Sequence, residues 1–229
     1  MSVARELAIQ GAPEGTIVVA DEQTAGRGRL DRRWISPPGA TLALSVILHP
    51  TPVQFPRLSM VGALAVVQAI EETTSLRPTL KWPNDVLING KKVSGLLVEG
   101  SYTGHHLDFA LLGIGVNVTL DVTQYPEIAQ TATSLALETG QPVSRETLLL
   151  SLLSALENYY LASAQGDQVP QAWEQRLETL GRRVIVTTGT QAEEGIAEGV
   201  DEGGHLLLRR SNGSLLWLAA GDVSLSQGL

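Results

Sequence analysis

Four short segments of this 229-residue chain carry side chains suited to gripping an anion. The first is Gln23-Thr24-Ala25-Gly26-Arg27-Gly28-Arg29-Leu30-Asp31-Arg32-Arg33-Trp34. Its glycines let the backbone approach an anion closely while guanidinium forks close around it, which suits a phosphate or a carboxylate. In isolation, Gly-Arg-Gly-Arg is equally compatible with an exposed loop. It is neither a Walker loop nor a dinucleotide fingerprint, because no Gly-Lys-Ser/Thr and no Gly-x-Gly-x-x-Gly follows a strand here.

The second segment is Lys81-Trp82-Pro83-Asn84-Asp85. Pro83 fixes its own φ and restricts Trp82, so Lys81, Asn84 and Asp85 are presented stiffly. Lys81 offers a point charge to phosphate, Asn84 a donor and an acceptor, and Asp85 a ligand for a hard cation or an acceptor for its water. Taken alone, the segment also reads as a strand-to-turn corner, with Trp82 either in the core or in a pocket wall. The third is Lys92-Val93-Ser94-Gly95-Leu96-Leu97-Val98-Glu99, where alternation predicts Lys92, Ser94, Leu96 and Val98 on one strand face and a gap at Gly95. In the fourth, Gly113-Ile114-Gly115-Val116-Asn117, two glycines inside an apolar strand mark either a bulge or a place of close approach.

These segments need elements to hold them. Val3 to Gln10 reads as an amphipathic helix stopped by Gly11, Thr16 to Ala20 as a buried strand, and Asp21 to Pro38 as a loop too long to be a mere connection. Thr41 to His49 reads as a strand and Phe55 to Thr74 as a helix. Asn89-Gly90 predicts a hairpin between Val86–Ile88 and Val93–Glu99, and Tyr102-Thr103-Gly104 turns the chain into a strand over Leu107–Val118. Consecutive antiparallel strands exclude a doubly wound sheet. Helices are predicted over Thr133–Glu138, Ser144–Ala164 and Pro170–Leu180, followed by strands Val184–Thr188, Ala192–Val200, His205–Arg210 and Ser214–Leu218 in a small β-barrel appendage that leans on the larger domain. His105 and His106 read as solvated turn residues, Trp173 and Trp217 as packing residues, and Arg209-Arg210 as an exposed strand end.

Composition narrows the chemistry. There is no Cys, which removes disulfides, thiolate metal sites and a Cys nucleophile. The 16 Lys+Arg are outnumbered by 24 Asp+Glu, giving a net charge of −8, yet the three lysines, Lys81, Lys91 and Lys92, lie close together and Arg27, Arg29, Arg32 and Arg33 form a second cluster. That pattern points to a local anion site, not to a nucleic-acid-binding face. With neither a spanning apolar run nor a signal-peptide pattern, a soluble cytoplasmic protein without a membrane partner is expected.

In this order and at these spacings, the four segments closely resemble the catalytic module of biotin protein ligases, which biotinylate carboxylase carrier domains. The resemblance covers nearly the whole chain, and Lys-Trp-Pro-Asn-Asp after a Gly-Arg-Gly-Arg loop is a highly specific combination. It implies an α+β fold with a mixed, largely antiparallel sheet packed with helices, a class II synthetase-like catalytic domain over residues 1–180 and an SH3-like β-barrel over 181–229. By the same resemblance, Gln23, Gly26, Arg27, Arg29, Lys92, Gly95, Gly113 and Gly115 serve biotin. Arg27, Arg29, Arg32, Trp34, Lys81, Asn84, Asp85, Lys92 and Asn117 serve ATP, with Trp34 near the adenine and Asp85 at Mg2+. Arg29 and Lys92 are the implied catalytic groups.

The implied reaction joins biotin's carboxylate to the α-phosphorus of ATP, releasing pyrophosphate, and an acceptor lysine of a biotin carboxyl-carrier domain then attacks the anhydride. No enzyme nucleophile is needed, only positioning and charge stabilisation. A lid over Gly26 to Trp34 that orders when ligands bind would protect the adenylate from water. Two departures from the family stand out. A Ser-Thr-bearing strand expected before the first helix is absent from the sequence as it begins at Met1, which puts biotin affinity in question, and Leu30-Asp31 replaces the more usual Arg-Gly. No helix-turn-helix segment precedes the module, so no nucleic-acid partner is expected, while a homodimer remains open. The rival readings are a lipoate or octanoyl ligase and a non-catalytic biotin-binding form.

Overall fold

Alternation of large and small residues along the central strands gives this protein a sheet with two unlike faces. The computed structural model describes residues 1–166 and 168–225. Strands β1 (Ile17–Ala20), β2 (Thr41–Leu48), β3 (Thr79–Lys81), β4 (Asp85–Ile88), β5 (Lys91–Thr103) and β6 (His106–Asn117) form one sheet in the order β1-β2-β6-β5-β4-β3. All five ladders are antiparallel, and isolated parallel bridges join Leu80 to Leu177 and Lys92 to Ala132. The β4–β5 hairpin turns at Asn89 and Gly90, with φ of 51° and 75° as a type I′ turn requires.

One face of the sheet is filled. Leu42, Leu44, Val46 and Leu48 of β2 and Ala110, Leu112, Ile114 and Val116 of β6 are buried in one core with α2 (Leu58–Thr73) and α4 (Arg145–Ala162). On the other face, Ile47, Phe109 and Leu111 are covered by α1 (Ser2–Ile9) through Ala4, Leu7 and Ala8. Further along that same face the period-two positions are small: Ala43 and Ser45 on β2, and Gly113 and Gly115 on β6. A cleft opens above them.

A second sheet follows α3 (Leu135–Thr139) and α5 (Gln168–Glu174). Its strands are β7 (Arg183–Thr188), β8 (Gln191–Val200), β9 (Leu206–Arg210), β10 (Leu215–Leu218) and β11 (Asp222–Leu225), ordered β10-β9-β8-β7-β11 and antiparallel throughout. Val184, Val186, Ala197, Leu206, Leu208 and Val223 belong to the same core cluster as Met60, Trp82 and Trp173, so the two sheets share apolar burial. A sheet of this size is marginal alone, and the shared core supplies what it lacks. No described helix is long and apolar enough to cross a membrane.

Several expectations need correction. Thr16–Ala20 is not buried: β1 is a sheet edge, with Ile17 and Val19 37% and 51% exposed, because β-branched runs suit an edge as well as an interior. The helix read from Phe55 begins at Leu58, after a 3-10 turn over Phe55–Arg57. The helix read to Leu180 stops at Glu174. Residues 176–178 instead run beside β3, with Leu80 N–H donating to Arg176 O and Glu178 N–H to Leu80 O, each at 2.9 Å. They satisfy an edge that would otherwise face solvent unpaired. Trp173 is buried as a packing residue, but Trp217 is 52% exposed. Strand β11 is an element that the sequence reading lacks.

Candidate functional site

The cleft above the small residues of the sheet has a volume of about 1090 Å³. Its lining includes Gln23, Arg27, Arg29, Arg32, Trp34, Lys81, Asn84, Asp85, Lys92, Gly95, Gly113, Gly115 and Asn117, which are all the candidate residues except Gly26. Gly26 is buried behind the loop, and a Cβ there would overlap the Trp34 carbonyl oxygen. Gly26 therefore lets the two arms of the loop close and does not line the cleft.

A β-bulge decides where Lys92 points. Leu87 pairs with Lys92 but Val86 pairs with Ser94, so Val93 is an extra residue in β5. The extra residue breaks the alternation. Val93, Ser94 and Leu96 are buried, Val93 and Leu96 in the core shared with the helices, while Lys92 joins Gly95 and Leu97 in the cleft. Of the expected shared face, Ser94, Leu96 and Val98 remain together opposite Val116, Ile114 and Leu112, and Lys92 alone leaves it. By contrast, the β6 ladders run through Gly113 and Gly115 without a register shift, so these glycines are not bulges. Glycine inside a strand costs about 0.5–1 kcal/mol relative to Ala, and here the return is open space.

Trp34 uses that space. An ideal Cβ on Gly115 would lie 2.6–2.8 Å from atoms of the Trp34 indole, and one on Gly95 would lie 3.3 Å from it. The structure thus sets Trp34, read as an adenine neighbour, against two glycines read as the biotin wall. Lys92 Nζ stands 5.8 Å from the ring centroid and 2.6 Å from Asp85 Oδ1. Trp34 Nε1 and Asn117 Oδ1 are buried with no hydrogen-bond partner among the described residues. An unmet buried polar atom costs about 1–3 kcal/mol, so each is a donor or acceptor that a ligand can satisfy. Asn117 is held in place by its Nδ2, which donates to Thr133 O at 2.9 Å.

The arginine loop folds back on itself as a small hairpin. Trp34 N–H donates to Gly26 O at 2.9 Å and Gly28 N–H to Arg32 O at 2.7 Å, and its tip places Leu30 at φ 52°. Arg29 donates to Asn84 Oδ1 at 3.2 Å and to Gly221 O at 3.4 Å. Burial pushes the Arg29 guanidinium below its ordinary value, with Arg32 adding to the effect and the carboxylates of Asp222 and Asp85 opposing it. Arg32 is ion-paired with Asp222, and Arg27 reaches Glu99 at 3.3 Å, which also holds Arg5 of α1 at 2.8 Å. Asn84 Nδ2 donates to Leu96 O, tying the Lys81–Asp85 corner to β5.

The sequence reading omits several lining residues. Asp222 comes from β11, and Met1 reaches the floor, where its sulfur would lie 2.8 Å from a Cβ on Gly113. Glu127, Ile128, Gln130, Thr131 and Ala132 form a further wall, held by Lys92 N–H to Thr131 O at 2.8 Å and Thr133 N–H to Lys92 O at 2.9 Å. Only the short alternation around Val223 could have signalled Asp222, and the 127–132 wall carries no motif. Arg33, the last arginine of the loop cluster, is exposed at the cleft's rim. His105 and His106 are exposed at the β5–β6 turn, and Arg209 and Arg210 are paired with Glu198 and Glu193 outside the cleft lining.

Six cations, four carboxylates and a glycine floor line the cleft, which suits an anionic ligand whose charge must be balanced while it reacts. With no Cys in the chain, the arrangement stabilises charge instead of attacking as a thiolate. Comparisons with known proteins agree with this chemistry. The Biotin/lipoate A/B protein ligase family model matches residues 2–117, and the Biotin protein ligase C terminal domain model matches residues 179–226. The bifunctional ligase/repressor BirA of Bacillus subtilis is 39% identical over 215 residues, covering 92% of this chain and 66% of that relative's length. The biotin--[acetyl-CoA-carboxylase] ligase of Paracoccus denitrificans is 38% identical over 203 residues, covering 84% of this chain and 83% of the relative. The solved biotin protein ligase from Aquifex aeolicus in complex with biotin and ATP superposes with a TM-score of 0.82 at 32% identity, covering 98% of this chain and 94% of the other. The chain belongs to the biotin/lipoate A/B protein ligase family and carries the biotin protein ligase C-terminal domain.

Proposed function

We propose that this protein joins biotin to ATP as biotinyl-5′-adenylate, releasing pyrophosphate, and then transfers the biotinyl group to a lysine of a biotin carboxyl-carrier domain. The observation that carries this reading is the single cleft that gathers Arg29, Arg32, Lys81 and Lys92 around a floor of Gly95, Gly113 and Gly115. The similar Aquifex protein binds biotin and ATP, and the Paracoccus relative is a ligase for acetyl-CoA-carboxylase. In this reading residues 1–180 form the catalytic unit and residues 181–229 the C-terminal unit.

The roles follow from this reading. Lys92 and Arg29 stabilise charge on the reacting carboxylate and α-phosphate, Lys81 and Arg32 hold the outer phosphates, and Gln23 and Arg27 stand on the biotin side. Asn117 Oδ1 and Trp34 Nε1 meet polar edges of the ligands. Closing the Gly26–Trp34 loop keeps water from the anhydride.

Mg2+ fits the donor set in a limited way. No group of three His, Cys, Asp or Glu side chains able to hold a metal is present among the described residues. Magnesium usually takes one or two carboxylates with substrate phosphates and water completing its shell, so Asp85 suits it as one ligand. When bound, the ion would neutralise phosphate charge.

The test is incubation of the protein with ATP, Mg2+, biotin and a biotin carboxyl-carrier domain, read by the mass of the carrier. The expected result is one added biotinyl group that depends on all three reagents. An unchanged carrier mass without pyrophosphate release overturns the proposal, and labelling with lipoate in place of biotin overturns the substrate.

A further inference from the structure

The turn between β8 and β9 reaches from the C-terminal sheet into the corner that carries Lys81, Asn84 and Asp85. Asp201 stiffens this turn: its Oδ1 accepts from Gly203 N–H and His205 N–H, each at 2.9 Å, and its Oδ2 lies 2.7 Å from His205 Nδ1. Glu202 anchors it through an ion pair at 3.2 Å with Arg57, which is 4% exposed and also donates to Ser163 O and Gly166 O. At the tip, Gly204 O accepts a 2.8 Å hydrogen bond from Trp82 Nε1. Gly204 has φ +82°, and a Cβ on it would lie 2.9 Å from Met60 Cε.

Trp82 is 1% exposed, and its backbone is clasped as well, with its N–H donating to Thr179 Oγ1 at 3.0 Å. Burial alone would be served by Phe. A buried indole N–H needs an acceptor, and a segment from the far end of the chain supplies it. The residue between Lys81 and Asn84 is therefore held at its backbone by residue 179 and at its ring by residue 204.

We propose that Trp82 is a positioning residue whose hydrogen bond to Gly204 lets the C-terminal sheet set the direction of Lys81, Asn84 and Asp85 toward the phosphates of ATP. The inference rests on the function proposed above and adds a division of labour to it. Gly95, Gly113 and Gly115 on β5 and β6 have no atom of the turn among their nearest neighbours, so the contact acts directly on the nucleotide side and reaches Arg29 and Lys92 only through Asn84 and Asp85. Misplacing reacting groups by about 1 Å costs up to about a hundredfold in rate, which gives one indole hydrogen bond leverage over the reaction.

The experiment compares the full-length protein with Trp82→Phe, Gly204→Ala and the double variant. The readouts are the KM for ATP in biotin-dependent pyrophosphate exchange, the Kd of a non-hydrolysable ATP analogue and of biotin by calorimetry, and the Tm. Trp82→Phe is expected to raise the KM and the analogue Kd about three- to tenfold, the worth of one hydrogen bond, with the biotin Kd unchanged within about twofold. The double variant is expected to be no worse than the weaker single, because Gly204→Ala keeps the carbonyl but displaces it through strain at φ +82° and crowding against Met60, and so acts on the contact that Trp82→Phe removes. Unchanged nucleotide parameters, or biotin and nucleotide affinities falling together, overturn the proposal. If Trp82→Phe fails to fold, Gly204→Ala decides by the same readouts. A wild type that binds the analogue without exchange activity sinks the ligase reading, while the analogue Kd still decides the positioning role; a wild type that binds no nucleotide sinks both.

Discussion

Lys92 Nζ lies 2.6 Å from Asp85 Oδ1, on the neighbouring strand, because the bulge at Val93 turns the lysine onto the cleft face. The pair leaves a candidate phosphate-binding cation and a candidate metal ligand neutralising each other. Lys92→Ala and Arg29→Ala are each expected to cut carrier labelling by about a hundredfold or more, the scale of losing a charge stabiliser. Neither side chain belongs to the apolar core, so circular dichroism should remain that of the wild type. Normal labelling by both variants would refute the site assignment.

Gly115 and Trp34 make a second testable contact. A methyl group at position 115 would lie 2.6–2.8 Å from indole atoms, closer than real Cβ contacts allow, so Gly115→Ala must displace the ring. The Trp34 contribution to fluorescence, isolated by difference against Trp34→Phe, should shift to longer wavelength. Biotin affinity should fall about tenfold or more, as overpacking a close approach implies. Unchanged emission would mean that the ring does not rest on this glycine in solution.

Leu30 occupies φ 52° at the tip of the arginine loop and is 59% exposed. A left-handed conformation costs a non-glycine residue about 1–2 kcal/mol. Leu30→Gly removes that strain but frees the unfolded chain, so the net gain should be small, below about 1 kcal/mol. Urea unfolding checks the sign, and a loss of stability would contradict the loop geometry.

Arg32 and Asp222, 190 residues apart, pin this loop to β11. Arg32 is largely exposed, so the pair contributes at most about 1 kcal/mol to global stability. Asp222→Asn should therefore barely move the Tm, yet hasten tryptic cleavage at Arg27, Arg29, Arg32 and Arg33. Equal cleavage rates in wild type and variant would show that the loop is held by other contacts.

The Asp201 turn carries a pH signature. Burial pushes the Asp201 carboxyl up, but hydrogen bonds from His205 and Gly203, together with the His205 charge, outweigh it and leave the group below its ordinary 3.8. A depressed carboxylate stabilises the fold above its unfolded value, and that contribution is lost as pH falls through the folded value. The urea-midpoint gap between wild type and Asp201→Asn should be wider at about pH 5 than at about pH 3. A gap independent of pH would remove Asp201 from the account of this turn.

Much of the fold is legible from local pattern. The Asn89-Gly90 hairpin, the run of antiparallel strands and the turn to short strands after residue 181 rest on positive-φ turn residues and on hydrophobic period, both properties of neighbours in the chain. The candidate site is legible as residue types: the cleft lining contains all the candidate site residues but Gly26. Where reading fails, a partner far along the chain intervenes. β1 looks interior until the sheet order makes it an edge, and residues 176–178 leave the helical pattern because β3 needs an edge partner.

The sequence by itself determined which chemistry is available: clustered cations, an acid beside a stiff Trp-Pro corner, glycines in apolar strands and no thiol. Tertiary structure alone decided how these groups meet. One extra residue at Val93 sends Lys92 to the cleft, and small side chains on adjacent strands leave a floor for Trp34 to rest on. Strand β11 brings Asp222 to a cleft built mostly from residues before 133, and the 201–205 turn brings Gly204 to Trp82 in the corner beside it. Propensity and period act between near neighbours, whereas register, unfilled volume and hydrogen bonds across the fold exist only after distant segments pack together.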